Sequence, residues 1–147
     1  MSGSSVPDAL TALVNLWTGA APAGLTVSDG PVYDPKGNYL AVGWNGTDTA
    51  DGVDGQSGFQ DAGFAQNNEI YDVHCLLSFH EGSSSPVAAR SELFDAFNAL
   101  DAALAADHTL GGLVLMAQVG AYRLEQSGHE DGSTAFLRFA VRVQAWK

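Results

Sequence analysis

"EIYDVHCLLSFHEG", residues 69–82, is the stretch that decides how this chain folds. Successive side chains of a strand point to opposite faces of a sheet. One alternating set in this stretch is uniformly apolar and comprises Tyr71, Val73, Cys75, Leu77 and Phe79. The other set, from Ile70 to His80, is mixed. The pattern predicts a long strand with one face in the core.

The same stretch contains the only cysteine and two of the four histidines, which could form a metal site or a Cys–His nucleophile. Cys75 falls on the predicted core face, where a free cysteine behaves as a small hydrophobic residue. His74 and His80 share the other face but stand about 20 Å apart at the rise of a strand. We therefore expect no metal site, no cofactor and no catalytic pair here.

The segments before this strand predict a helix and two strands. Residues 7–24 carry Leu10, Leu13 and Trp17 at helical spacing, with Pro7 suited to the first turn. Residues 25–45 supply β-favouring residues on both sides of a predicted turn at 34–37. They form either a short hairpin or two strands that enter one sheet.

The segments after it predict a long helix and a hairpin. In residues 83–112, Ser85 suits the N-cap and Pro86 the first turn. The predicted apolar stripe of this helix comprises Val87, Arg90, Phe94, Phe97, Leu100 and Leu104, with Leu93 beside it. Residues 113–126 and 133–147 alternate as two strands joined by a turn.

Residues 46–68 are rich in glycine and aspartate and show no periodicity, which predicts one long loop. Asp48, Asp51 and Asp54 lack the alternate spacing and the closing glutamate of an EF-hand, so we do not expect calcium. Phe59 and Phe64 are aromatic residues in a polar segment. They are candidates for packing against a partner that orders the loop on assembly.

The formal net charge of −11 argues against a free-standing nucleic-acid binder, because phosphate neutralisation supplies most of such affinity. The last 27 residues hold four of the six basic residues but three of the 17 acidic ones, which gives that segment +1 and the first 120 residues −12. A head-to-tail ring would use such polarity. The alternative is an acidic surface that serves solubility alone.

The last strand carries a candidate interface. Its outer face presents Phe136, Arg138, Arg142 and Trp146, and arginine with aromatic residues is typical of protein–protein contacts. The alternative is an exposed face on which arginine stems cover apolar surface. Charge reversal at Arg138 and Arg142 should weaken assembly if the interface is real.

Signatures of catalysis and of membrane insertion are missing from the sequence. It has no phosphate-binding glycine loop followed by Lys-Ser/Thr and no GxSxG nucleophile elbow, so we do not expect an enzyme. No apolar run is long enough for a membrane span. The N-terminus lacks the regions of a secretory signal, so a cytoplasmic start is expected.

The order of elements predicts one α+β domain over residues 1–147. A mostly antiparallel sheet would carry an N-terminal helix and one long helix, in the order α-β-β-(long loop)-β-α-β-β. In order, length and acidity the chain resembles the tail terminator (tail completion) proteins of long-tailed bacteriophages. The resembling segments are "VYDP", "YLAVGWNG", "EIYDVHCLLSFHEGSS", "ARSELFDAFNALDAALAAD" and "RFAVRVQAWK".

The resemblance implies a structural protein of the virion that is assembled in the host cytoplasm. It would form a hexameric ring on the head-proximal end of the tail tube, stop tube polymerisation and dock the head. Its partners would be its own copies, the tail tube protein and the head–tail connector, while DNA passes through the lumen without specific binding. Arg138 and Arg142 would make subunit or tube contacts, and the 46–68 loop would order against the tube or the connector.

Two other interpretations remain open at this stage. One is a neck or head-completion connector of similar size, which binds the portal side. The other is a small metal- or ligand-binding domain with a site around Asp48, Asp51, Asp54 and His74.

Overall fold

A computed structural model of the chain describes residues 3–32, 38–47, 52–59, 67–82, 85–129 and 132–146. In chain order these contain α1 (Val6–Ala20), β1 (Leu25–Asp29), β2 (Asn38–Val42), β3 (Val53–Phe59), β4 (Asn67–Glu81), α2 (Pro86–Ala106), β5 (Met116–His129) and β6 (Gly132–Trp146). Both helices pack on a mostly antiparallel six-stranded sheet. The predicted α+β class is confirmed.

Strand β4 is the centre of the sheet. Antiparallel β6 pairs with it from Asn68↔Trp146 to Glu81↔Ser133. Two strands share its other edge, with β2 opposite residues 75–78 and β3 opposite residues 67–73. Strand β1 lies beyond β2, and β5 lies beyond β6.

The backbone of His74 joins the two halves of the shared edge. Its N–H donates to the carbonyl of Gly52 at 2.8 Å, and its carbonyl accepts from the N–H groups of Gly43 and Trp44 at 2.8 and 2.9 Å. The end of β2 and the start of β3 therefore meet at one residue of β4.

The prediction of one unbroken loop over residues 46–68 is wrong, because β3 occupies Val53–Phe59 and β4 already begins at Asn67. Strand β3 shows no apolar alternation, since it is an edge strand held by backbone pairing. Gly55 makes this pairing sterically possible. A Cβ at that position would lie 2.4 Å from the Cβ of Tyr71.

The hairpin alternative for residues 25–45 is also wrong, and the one-sheet alternative is confirmed. Strands β1 and β2 are parallel, with Leu25 opposite Asn38 and Asp29 opposite Val42. The connection, residues 30–37, is shorter than the dozen or more residues usual between parallel strands, and such a short connection favours a hairpin in the sequence. Val32 in this connection packs on the sheet face away from the helices. The predicted turn at 34–37 lies outside the described residues.

Helix α1 is fixed to the core by Leu13 and Trp17, which are fully buried. The Trp17 ring meets Phe139 of β6 edge-on at a centroid distance of 5.9 Å. The Trp17 Nε1–H group donates to the carbonyl of Leu100 in α2 at 3.1 Å. One side chain therefore ties together α1, α2 and the sheet, as expected for a core anchor.

Helix α2 begins as predicted, because the Ser85 hydroxyl accepts from the Ala88 N–H at 3.2 Å. The predicted stripe is partly wrong, since Val87 is 59% exposed and Arg90 is also exposed. The buried residues are Ala89, Leu93, Ala96, Phe97, Leu100 and Leu104. The buried stripe therefore runs through Ala89 and Ala96 and not through Val87 and Arg90.

The start of α1 is anchored by a carboxylate of β4. Glu69 is only 6% exposed, and it accepts from the backbone N–H and hydroxyl of Ser5 and from the Ser4 hydroxyl. The Ser5 hydroxyl also lies 2.8 Å from the Tyr71 hydroxyl. A negative group at a helix N-terminus satisfies otherwise unpaired donors and complements the helix dipole.

Strands β5 and β6 form the predicted hairpin, paired up to His129↔Gly132. The register shifts between Val119 and Tyr122, which marks a bulge in β5. Within the described ranges, neither helix is long and apolar enough to cross a membrane.

We expect Trp17→Ala to lower the free energy of unfolding by about 3–5 kcal/mol, because it leaves a cavity in the core. Asn15→Ala on the same helix is the control, since Asn15 is exposed. It should change stability by about 0.5 kcal/mol or less. Chemical denaturation of both variants measures the difference, and similar losses would contradict the assignment of Trp17 as the anchor.

We expect Glu69→Ala to lower the free energy of unfolding by about 1–3 kcal/mol, because it leaves the donors of Ser5 buried without their acceptor. Glu92→Ala is the control. Glu92 is exposed on α2, and its charge lies near those of other acidic residues. That variant should be as stable as the parent chain or more stable. Thermal unfolding by circular dichroism compares the two, and equal losses would argue against the anchor.

Candidate functional site

The sheet face opposite α1 and α2 is the candidate functional site, and we call it the outer face. It carries the alternate residues of β4 and β6 that do not join the main core. Antiparallel sheets commonly bury one face and leave the other to solvent or to a partner. This face contains most of the described residues that the sequence marked as candidates.

One end of the outer face is already covered by the chain itself. Tyr39, Ala41 and Leu76 form a second buried cluster. Val32, Trp44 and Phe136 pack against that cluster. Phe136, a predicted interface residue, is therefore partly buried within its own subunit and contributes to folding at this end of the sheet.

Arg142 lies on the open part of the outer face, where it pairs with Asp72 of β4. Its Nε and Nη2 groups donate to the two oxygens of Asp72 at 3.1 and 3.2 Å, a bidentate arrangement. These hydrogen bonds, and next the charge of Asp72, hold the pKa of Arg142 above its ordinary value. The predicted acidic partner of Arg142 is thus supplied within the chain, although 55% of the arginine side chain stays exposed.

Arg138 is more deeply built into the fold. Its Nε group donates to the carbonyl of Asn45 at 2.8 Å, and its Nη1 group contacts the carboxylate of Glu125 on β5. Its side chain is 29% exposed. Arg138 therefore holds the chain after β2 against the sheet, and reversing its charge would disturb folding as well as any interface.

Asp54 is the described member of the predicted aspartate cluster. It lies on β3, and its Oδ1 atom is 3.3 Å from Nε2 of His74 on β4. Asp48 and Asp51 lie outside the described residues. Among the residues that the structure does describe, no three metal-ligating side chains come together.

Trp146 belongs to an exposed apolar patch at the end of the outer face opposite the covered cluster. Ile70 and Met116 flank Gln144 in one cross-strand row, and Trp146 lies two residues further along β6. The exposed fractions are 38% for Ile70, 41% for Met116 and 49% for Trp146. We call these three residues the apolar corner, and such a patch rimmed by polar groups is typical of interaction surfaces.

The two predicted aromatic residues of the 46–68 segment give less information. Phe59 ends β3, opposite Asn67 of β4, and its side chain is not among those described. Phe64 lies outside the described residues. Their predicted packing against a partner stays a prediction.

Cys75 is fully buried on the helix side of β4, as predicted. Burial raises the pKa of its thiol to about 12, despite an opposing hydrogen bond from Gly43. Because the thiolate is the reactive form, the folded chain keeps this sulfur in its inert state near neutral pH.

The exposed surface of α2 is acidic. Desolvation, then the charge and hydrogen bond of Glu81 and the charge of Asp95, raise the pKa of Glu92. Asp95 and Asp101 are also exposed on this helix. The acidic helix surface and the arginine-bearing outer face therefore lie on opposite sides of the sheet.

The chain matches no protein-family model, and no curated protein matches it significantly.

Sequence reasoning missed two features of this site. It did not find the internal acids that pair with Arg138 and Arg142, because the pairing depends on which strands are neighbours. It also missed Ile70 and Met116 as companions of Trp146. The alternation of β4 placed Ile70 on the outer face, but Met116 required the register of β5 against β6.

We expect the free energy of unfolding to fall as pH rises above about 8.5, by up to about 1.4 kcal/mol per pH unit. The unfolded thiol ionises near that pH, whereas the folded thiol of Cys75 holds its proton until about 12. Below the unfolded pKa both states are protonated, so the effect vanishes. Cys75→Ala should flatten this pH dependence between about pH 8 and 10. Tyr71 contributes little in that range, because the ordinary pKa of tyrosine is about 10 and burial raises the pKa of Tyr71 further. Chemical denaturation at several pH values in this range measures the free energy of unfolding of the parent chain and of Cys75→Ala. Identical slopes against pH for the two would contradict the assignment to Cys75.

Proposed function

We propose that this chain is a structural virion protein that forms a ring on the head-proximal end of a long phage tail. It caps the tail tube, stops polymerisation of the tube protein and presents the surface on which the head docks. The role is structural and not enzymatic. The observation that carries the proposal is the open outer face with its apolar corner.

The apolar corner supports a protein partner. Ile70, Met116 and Trp146 are each more than a third exposed and lie together at one end of the sheet. Arg142 stands beside them, bound to Asp72 but largely exposed. Large apolar and aromatic side chains next to arginine are the composition that protein–protein interfaces favour.

The distribution of charge supports repeated head-to-tail contacts. The exposed acids of α2 lie on the opposite side of the sheet from the outer face. A heterologous contact between two unlike faces closes into a ring when the rotation between copies permits it. Six copies, the tube protein and the head–tail connector are the partners in this proposal.

The acidic character also suits a channel for DNA. A lumen lined by carboxylates would repel phosphates, so DNA could pass without specific binding. In this proposal the lining comes from those of the 17 acidic residues that take no part in contacts between copies.

We expect Trp146→Ala with Met116→Ser to weaken assembly at least tenfold, because the pair removes most of the apolar corner. Leu113→Ser is the matched control, since Leu113 is 39% exposed in the turn before β5, to which the proposal assigns no contact. Sedimentation velocity and native mass spectrometry measure assembly, and the proposed ring has the mass of six 15.3 kDa chains. A double variant that assembles as the parent does would remove the corner from the interface.

Electron microscopy of particles from a phage that lacks this gene tests the biological role. If the protein is a tail terminator, these particles should show overlong tail tubes beside filled, unattached heads. Free tails of normal length would overturn that role and move the protein to the head side of the neck, as a connector.

A further inference from the structure

A pocket opens on the outer face where β5 departs from regular pairing with β6. Its volume is about 200 Å³. The polar lining comes from Asn45, His74, Arg123 and Arg138, with Tyr122 and Ala140 beside them. Ala121 and Tyr122 lie at the bulge of β5 and line the pocket, and bulges break the ladder and redirect side chains.

Two arginines face each other across this pocket. Arg123 of β5 is the direct cross-strand partner of Arg138 on β6. Like charges in such positions are destabilising unless an anion lies between or beside them. Arg138 has the carboxylate of Glu125, whereas Arg123 makes no ion pair with any residue in the described part of the chain.

The pocket also has hydrogen-bond donors to spare. A guanidinium carries five N–H donors in a planar fork. Arg138 directs Nε to the carbonyl of Asn45 and Nη1 to Glu125, and the fork of Arg123 is exposed. Carboxylates and similar oxyanions are the ligands that match this geometry, often through two parallel hydrogen bonds.

The size of the pocket suits one anionic group. A water molecule occupies about 30 Å³ in the liquid. The pocket therefore has room for a carboxylate group with several water molecules.

We propose that this pocket binds the carboxylate of an aspartate or glutamate from a second copy of the chain. The inference rests on the proposed ring and names one of its contacts. A second copy is the occupant that matches the pocket in charge, because the chain has 17 acidic residues for six basic ones. Helix α2 exposes Glu92, Asp95 and Asp101 on the side of the sheet away from the outer face. A neighbour that docks head-to-tail brings such acids to the arginines.

The first test compares Arg123→Gln with Asn15→Asp in sedimentation velocity at fixed ionic strength. Arg123 is exposed, so its loss should leave folding intact but weaken self-association at least tenfold. Asn15 is exposed on α1, and Asn15→Asp changes the net charge by the same amount, so it should leave self-association unchanged. Equal assembly of the two variants and the parent would overturn the proposal while leaving the ring in place.

The second test identifies the occupant directly. Arg123→Lys keeps the charge and supplies an amine that a carbodiimide can join to a carboxylate in contact with it. Mixing copies labelled with ¹⁴N and ¹⁵N before cross-linking separates links between copies from links within one. We expect the introduced lysine to be joined to an acid of another copy. Links confined to a single copy, or no link, would overturn the proposal.

A third measurement separates this inference from the proposed function. If the parent chain stays monomeric at all concentrations, the proposed ring does not form. A second copy of the chain then cannot be the occupant of the pocket. In that case a titration with sodium acetate or sulfate tests whether the pocket binds an oxyanion. The readout is the NMR chemical shift of the backbone amides of Ala121 and residue 123. Chemical-shift changes that saturate in the parent chain and are missing in Arg123→Gln would support an oxyanion site. Chemical shifts of the parent chain that do not respond to either anion would overturn it.

Discussion

The backbone pairing of β4 is the constraint on which the rest of the structure depends. This strand gives one edge entirely to β6 and divides the other between β2 and β3 at His74. Its buried side chains lie in the core that both helices share, α2 packs directly on it, and its Glu69 anchors the first turn of α1. Since alternate side chains point to opposite faces, one register error in β4 would exchange the core with the outer face.

Much of the fold could be predicted because its strongest signals are local. The apolar alternation of β4 and β6 and the cap at Ser85 each depend on a few neighbouring residues. Strand β3 could not be predicted, because it is held by hydrogen bonds to β4 and needs a glycine opposite Tyr71 rather than an apolar pattern. The buried stripe of α2 includes Ala89 and Ala96, and small residues such as these show their role only once the sheet beneath the helix is known.

The candidate site was predictable in its residue types and not in its pairing. The sequence placed Arg138, Arg142 and Trp146 on one strand face, and the structure keeps them there. It also gives the two arginines acids of their own chain, Glu125 and Asp72, so the outer face is less basic than the sequence of β6 alone indicates. The exposed surface that distinguishes this face is therefore the apolar corner, together with Arg123.

The division of one β4 edge between two strands has a consequence for local stability. Strand β3 is attached by backbone hydrogen bonds, and among its described side chains, those of residues 53–56, Val53 packs at the margin of the core. If β3 opens while β6 stays paired, the amides of residues 67–73 that donate to β3 should exchange early. The amides of β4 that donate to β6 keep their partners and should exchange only when the whole domain opens. Such a strand makes the sheet edge at residues 67–73 available without unfolding the protein.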